Sequence, residues 1–127
     1  MLTTIFKADH LASAKIDLDV GRVMLGAADP VVLSGMAYLA SKYRDLGQWE
    51  DAEKLEVQVI ETRKTKSGAD HPDTLTSMVN LSFTWKSQGR DANALALIES
   101  CVQAQRQVLG ERHPDTMPSV STIESWR

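Results

Sequence analysis

Apolar residues in the second half of the chain recur at three- and four-residue intervals. Leu75, Met78, Val79, Leu81 and Trp85 form one run, and Ala94, Leu97, Ile98, Cys101, Val102, Val108 and Leu109 form a second. A stripe of this spacing covers one side of an α-helix, so the pattern predicts two amphipathic helices. Pro72 opens the first, since proline is tolerated in a first turn, and Asp73 suits the positive end of the helix dipole. Gly89 ends that helix and Gly110 closes the second. An earlier pair has the same form. Leu33, Met36, Leu39 and Tyr43 precede Gly47, and Ala52, Leu55, Val59 and Ile60 follow it, with Glu50 and Lys54 as a favourable four-residue ion pair. The first helix of each pair is expected at about 31–46 and 73–88.

The two pairs are copies offset by 42 residues. Gly-x-x-His-Pro-Asp-Thr occurs at Gly68, His71, Pro72, Asp73 and Thr74, and again at Gly110, His113, Pro114, Asp115 and Thr116. The same offset pairs Gly26 with Gly68, Pro30 with Pro72, Leu39 with Leu81, Gly47 with Gly89 and Ala52 with Ala94. A period of this size marks stacked supersecondary units, none of which buries its stripe alone. The small residues Ala40, Ser82, Ala52 and Ala94 allow antiparallel helices to approach closely. The expectation is one all-α domain over 1–127: a degenerate helix in 1–29, repeats at 30–68 and 72–110, and a partial repeat or cap at 114–127.

The ends depart from the pattern. Ile16, Leu18, Val20, Val23, Met24 and Leu25 read as a degenerate second helix, weakened by Gly21. Asp29 stands where His71 and His113 do. Pro118 replaces the residue equivalent to Thr76, so the last helix is expected to be short or to begin near Pro118. An incomplete unit exposes an apolar face, which makes homo-oligomerisation through the terminal helices a second expectation.

Composition narrows the function classes. A net charge of −3 gives no bulk attraction for a polyanion, so no nucleic-acid partner is expected. No apolar run approaches the length of a membrane span, so no membrane partner is expected either. Cys101 is the sole cysteine, which excludes an intrachain disulfide and suits a reducing, cytoplasmic setting. It stands at the position of Val59 on a buried stripe and reads as a small core residue.

His71 with Asp73, and His113 with Asp115, suggest metal ligation or acid–base work at first sight. They sit at helix starts one repeat apart, about 15–20 Å if two helices intervene, too far for one metal ion. No Gly-rich phosphate loop, nucleophile elbow, zinc spacing or paired-carboxylate motif occurs. The expectation is no catalytic residue, no metal and no cofactor. Tyr43, Trp49 and Trp85 are read as packing residues, and Trp126 as a cap or an exposed contact. Arg63, Lys64 and Lys66 fall on a late helical turn, where positive charge suits the dipole.

Leu39-Ala40, Tyr43, Gly47, Trp49 and Ala52, and then Leu81, Ser82, Trp85, Gly89 and Ala94, resemble the tetratricopeptide signature, with Asp91 in place of Trp49 in the second unit. The 42-residue period with Gly-x-x-His-Pro-Asp-Thr-Leu at the joint resembles the kinesin light chain variant. Glu61-Thr62-Arg63-Lys64-Thr65-Lys66 resembles repeat arrays of fungal NACHT and NB-ARC signalling proteins. The resemblance implies an α-solenoid, a right-handed superhelix of antiparallel helix pairs with five or six helices. It implies a non-catalytic scaffold that binds a protein or peptide in a concave groove built by the first helices. The groove candidates are Tyr38, Ser41 and Arg44 on one helix and Asn80, Phe83, Lys86 and Ser87 on the other. Asn80 matches the asparagine that contacts peptide backbone in kinesin light chains, and Tyr38 and Thr122 stand in its place in the other units. Arg44 and Lys86 are equivalent and suited to an acidic segment, with Tyr38 and Phe83 supplying apolar contact. The alternative is a structural spacer or self-association element of a larger signalling protein.

Overall fold

The computed structural model describes Lys15, Gly21, residues 24–26 and residues 28–127. Among residues 28–127 five helices follow one another: α1 (Pro30–Asp45), α2 (Trp49–Ser67), α3 (Pro72–Ser87), α4 (Asp91–Val108) and α5 (Thr116–Trp126). Lys15, Gly21, Met24 and Leu25 are also helical; Ile16, Leu18, Val20 and Val23 lie outside the described residues. The two first helices each begin one residue earlier than the expected bounds, at Pro30 and Pro72, and end one residue earlier, at Asp45 and Ser87.

The chain divides into two compact units, Met1–Val59 and Ile60–Arg127, with the division inside α2. In the first unit Val32, Leu33, Met36, Leu39, Ala40 and Tyr43 of α1 pack with Ala52, Leu55 and Val59 of α2. In the second, α3 packs on α4 and α4 on α5. Ile98, Val102 and Ile123 form the buried centre, with Val79, Leu95, Val120 and Trp126 around it.

Small hydroxyl residues fill several buried positions of the second unit without an unpaired donor. Ser82 donates to the Val79 carbonyl at 2.6 Å, Ser77 to that of Asp73 at 3.0 Å and Thr84 to that of Asn80 at 3.4 Å. Bonding back to its own helix lets a hydroxyl sit in an apolar contact.

The turn inside each pair has a single design. Gln48 N–H donates to the Tyr43 carbonyl at 2.8 Å and Gly47 N–H to that of Arg44 at 3.0 Å; Arg90 with Trp85 (2.9 Å) and Gly89 with Lys86 (3.1 Å) repeat it. This is a Schellman closure, which needs a left-handed residue, and Gly47 and Gly89 supply it at φ 75° and 80°.

The joints between pairs explain the His-Pro-Asp-Thr motif. Asp73 N–H donates to His71 Nδ1 at 3.1 Å, and Asp115 N–H to His113 Nδ1 at 3.0 Å. Asp29 Oδ1 accepts from Val31 N–H at 2.9 Å in the first joint. Aspartate and histidine are therefore interchangeable here because both offer an acceptor two residues ahead of a free helix-end N–H. An accepting Nδ1 places the ring proton on Nε2. Replacing His71 with Ala is expected to cost about 1 kcal/mol of stability in urea unfolding, the usual loss for a missing cap, whereas His71→Asp keeps most of it.

The last joint differs. Asp29 and His71 are extended N-caps, with ψ 136° and 139°, but α5 is capped by Asp115 at ψ −31° and begins two residues later than Pro114 would dictate. Pro118 accounts for the shift. Starting at Thr116 puts Pro118 third in the helix, where an N–H has no intrahelical partner to lose. The last helix thus begins near Pro118, two residues before it.

Candidate functional site

Every residue expected to contact a partner stands on α1 or α3. In the first unit, Tyr38 is 48% exposed, and the Lys42 ammonium lies 5.1 Å from its ring centroid. The half-buried Ser41 donates its hydroxyl proton to the Tyr38 carbonyl at 2.7 Å. Arg44 is half-buried and already engaged with a neighbouring group.

In the second unit, Phe83 is 37% exposed and meets Trp126 edge-on, with ring centroids 5.4 Å apart and planes at 83°. This is the favoured geometry for two aromatic quadrupoles. Lys86 Nζ lies 5.6 Å from the Trp126 centroid and 3.4 Å from Asp91 Oδ1. Trp126 thus joins Phe83 and Lys86 into one aromatic–cation cluster. Asn80 is half-buried and engaged, and Ser87 is exposed.

Position-by-position reading of the sequence missed Trp126 as a member of this cluster. Its equivalent is Thr84, which is fully buried, so the 42-residue offset carries no hint of a ring against Phe83. Trp49, expected to pack, is 38% exposed because it is the first residue of α2, where the side chain projects past the helix end. Tyr43 is buried as expected, and Trp85 is half-buried with the Arg90 guanidinium 4.7 Å from its centroid. Beside α5 lies a cleft of about 550 Å³, lined by Glu99, Gln103, Arg106, Val120, Glu124 and Arg127 among others.

Cys101 is fully buried, and burial pushes its thiol up to about 12 from 9.0. The unfolded chain then ionises the thiol first. Stability is expected to fall from about pH 9 towards pH 12 by about 1.4 kcal/mol per pH unit from this group. Cys101→Val, which installs the residue of the preceding repeat, removes that component in urea titrations run at pH 8 and pH 11.

Both motif histidines use Nδ1 as caps. Among the described residues, no three His, Cys, Asp or Glu side chains group closely enough to hold a metal ion, and no helix is long and apolar enough to cross a membrane.

The sequence profile of the tetratricopeptide repeat family matches residues 32–73 and 74–115, two consecutive 42-residue units. This chain belongs to the tetratricopeptide repeat family. Two crystal structures of nearly identical TPR-like repeats from a kinesin-light-chain-like protein of Podosopora anserina superpose on it. They do so with TM-scores of 0.80 and 0.77 at 22% identity, over 94% of this chain. At that identity the likeness is one of fold, an all-α tetratricopeptide solenoid. The chain spans 57% of the length of these structures. No curated protein matches the sequence. Tetratricopeptide repeats generally serve as scaffolds for protein–protein interaction.

Proposed function

We propose that this tetratricopeptide chain is a non-catalytic scaffold of the cytoplasm that takes a peptide or helical segment of a partner protein on the faces of its first helices, α1 and α3. The observation that supports this reading is the partial exposure of an aromatic ring on each of these helices, Tyr38 at 48% and Phe83, one side of which lies against Trp126, at 37%. A rigid ring offers large contact area at low entropic cost, and each has a lysine within one turn, Lys42 and Lys86. An apolar side chain flanked by a carboxylate is the partner chemistry that each of these two faces fits. Ser41 and Arg44 flank Tyr38 on α1, and Asn80 and Ser87 flank Phe83 on α3.

Lys86→Glu and Tyr38→Ala test this. Each is expected to weaken binding of the partner about tenfold by calorimetry, as for a moderate hot spot, with the thermal midpoint of the free chain kept within a few degrees. Unchanged affinity in both variants removes these faces from the binding surface.

A further inference from the structure

The two joints of the second unit share a motif and are bonded differently. At the joint before α3, Arg63 Nη1 donates to the Asp73 carbonyl at 3.3 Å and to the Ser77 hydroxyl, and Thr74 Oγ1 donates to the Gly68 carbonyl at 2.9 Å. At the joint before α5, Gln105 stands in the place of Arg63 and Thr116 in the place of Thr74. Both are buried, at 2% and 0% exposure, yet Gln105 Oε1 and Thr116 Oγ1 make no hydrogen bond among the described residues. Two desolvated polar atoms therefore weigh against the docked position of α5, where the equivalent atoms hold α3 in place. Pro118 adds to this by delaying the helix start to Thr116, two residues after Pro114, the equivalent of the proline that opens α3.

What holds α5 lies towards its other end. Val120, Ile123 and Trp126 pack on the second-unit core, Trp126 covers Phe83 and Lys86, and Arg127 Nη2 reaches Glu99 Oε1 at 3.0 Å on the surface. An exposed pair of this kind contributes little.

We propose that α5 is a displaceable strap. It lifts from α3 and α4 as a unit, pivoting at the under-bonded joint, and in doing so uncovers the Phe83 ring and the Lys86 ammonium. The docked strap then competes with a partner for these two side chains, and binding draws on the lifted population. This gating role rests on Phe83 and Lys86 being partner contacts; the lifting itself does not.

Amide hydrogen exchange on the whole chain, without any partner, tests the lifting. Amides of Val120 to Glu124 are expected to exchange about tenfold or more faster than those of Leu95 to Val102. Gln105→Arg, which restores the clamp of the preceding joint, is expected to slow exchange in α5 about tenfold and leave α4 unchanged. Pro118→Thr, which installs a donor for the Pro114 carbonyl, is expected to act in the same direction and serves if the arginine variant fails to fold. Equal exchange in α4 and α5 overturns the strap, and so does fast exchange in α5 that neither variant slows. A binding loss in Lys86→Glu alongside slow α5 exchange removes the strap and keeps the binding surface. Fast α5 exchange with unchanged binding does the reverse.

Discussion

Replacing Ile98 with Ala is expected to destabilise the second unit by about 2–5 kcal/mol. Ile98 is fully buried and lies at the centre of the cluster that joins α4 to Val79 of α3 and to Val120, Ile123 and Trp126 of α5. Truncation removes the transfer free energy of three carbons and leaves a cavity that three helices border. Relaxation into that cavity is limited, since closing it towards α3 opens it towards α5. Urea unfolding followed by tryptophan fluorescence reads the loss, because Trp85 and Trp126 both report from this unit. A change under about 1 kcal/mol would mean that this isoleucine is not central to the core.

Enlarging Ala94 to Leu is expected to cost about 1–3 kcal/mol, for the opposite reason. Ala94 is fully buried early in α4, and its equivalent Ala52 is fully buried early in α2. Three added carbons have to push α4 away from α3 or leave their rotamer wells. Helix propensity hardly enters, since leucine is nearly as good a helix former as alanine. Ala96→Leu is the control: two residues along the same helix, Ala96 is exposed, and its replacement is expected to stay within about 0.5 kcal/mol. Equal behaviour of the two variants in urea unfolding would show that helix spacing is not set at Ala94.

The helices and their caps were legible because their causes are local. Pro72, Gly89 and Gly110 act on the backbone of their own neighbours, and an apolar stripe needs only its period to declare a buried face. Positions that depend on a second element were harder. Glu56 is buried at 5% exposure at the place where the next repeat has Ile98, and its charge gave no reason to count it in the stripe Ala52, Leu55, Val59 and Ile60. Of the candidate site residues, the assignment to the first helices followed from the repeat, and the exposure of Tyr38 and Phe83 followed from lying off the stripe. The contact of Phe83 with Trp126 did not follow, because the two are not equivalent by the offset and meet only through the packing of α5. The exchange of Arg63 for Gln105 was visible as a letter change, but its meaning required the carbonyl and hydroxyl that Arg63 reaches.

At each joint a glycine with φ near 90–105° is followed by an acceptor side chain, and the bonds that close the turn stay within a few residues. A recombination event that adds or deletes a whole 42-residue block therefore carries every cap with it and rejoins like to like. The number of units can then change without undoing a cap, and within a joint one residue can replace another where the acceptor is kept, as Asp29 and His71 show.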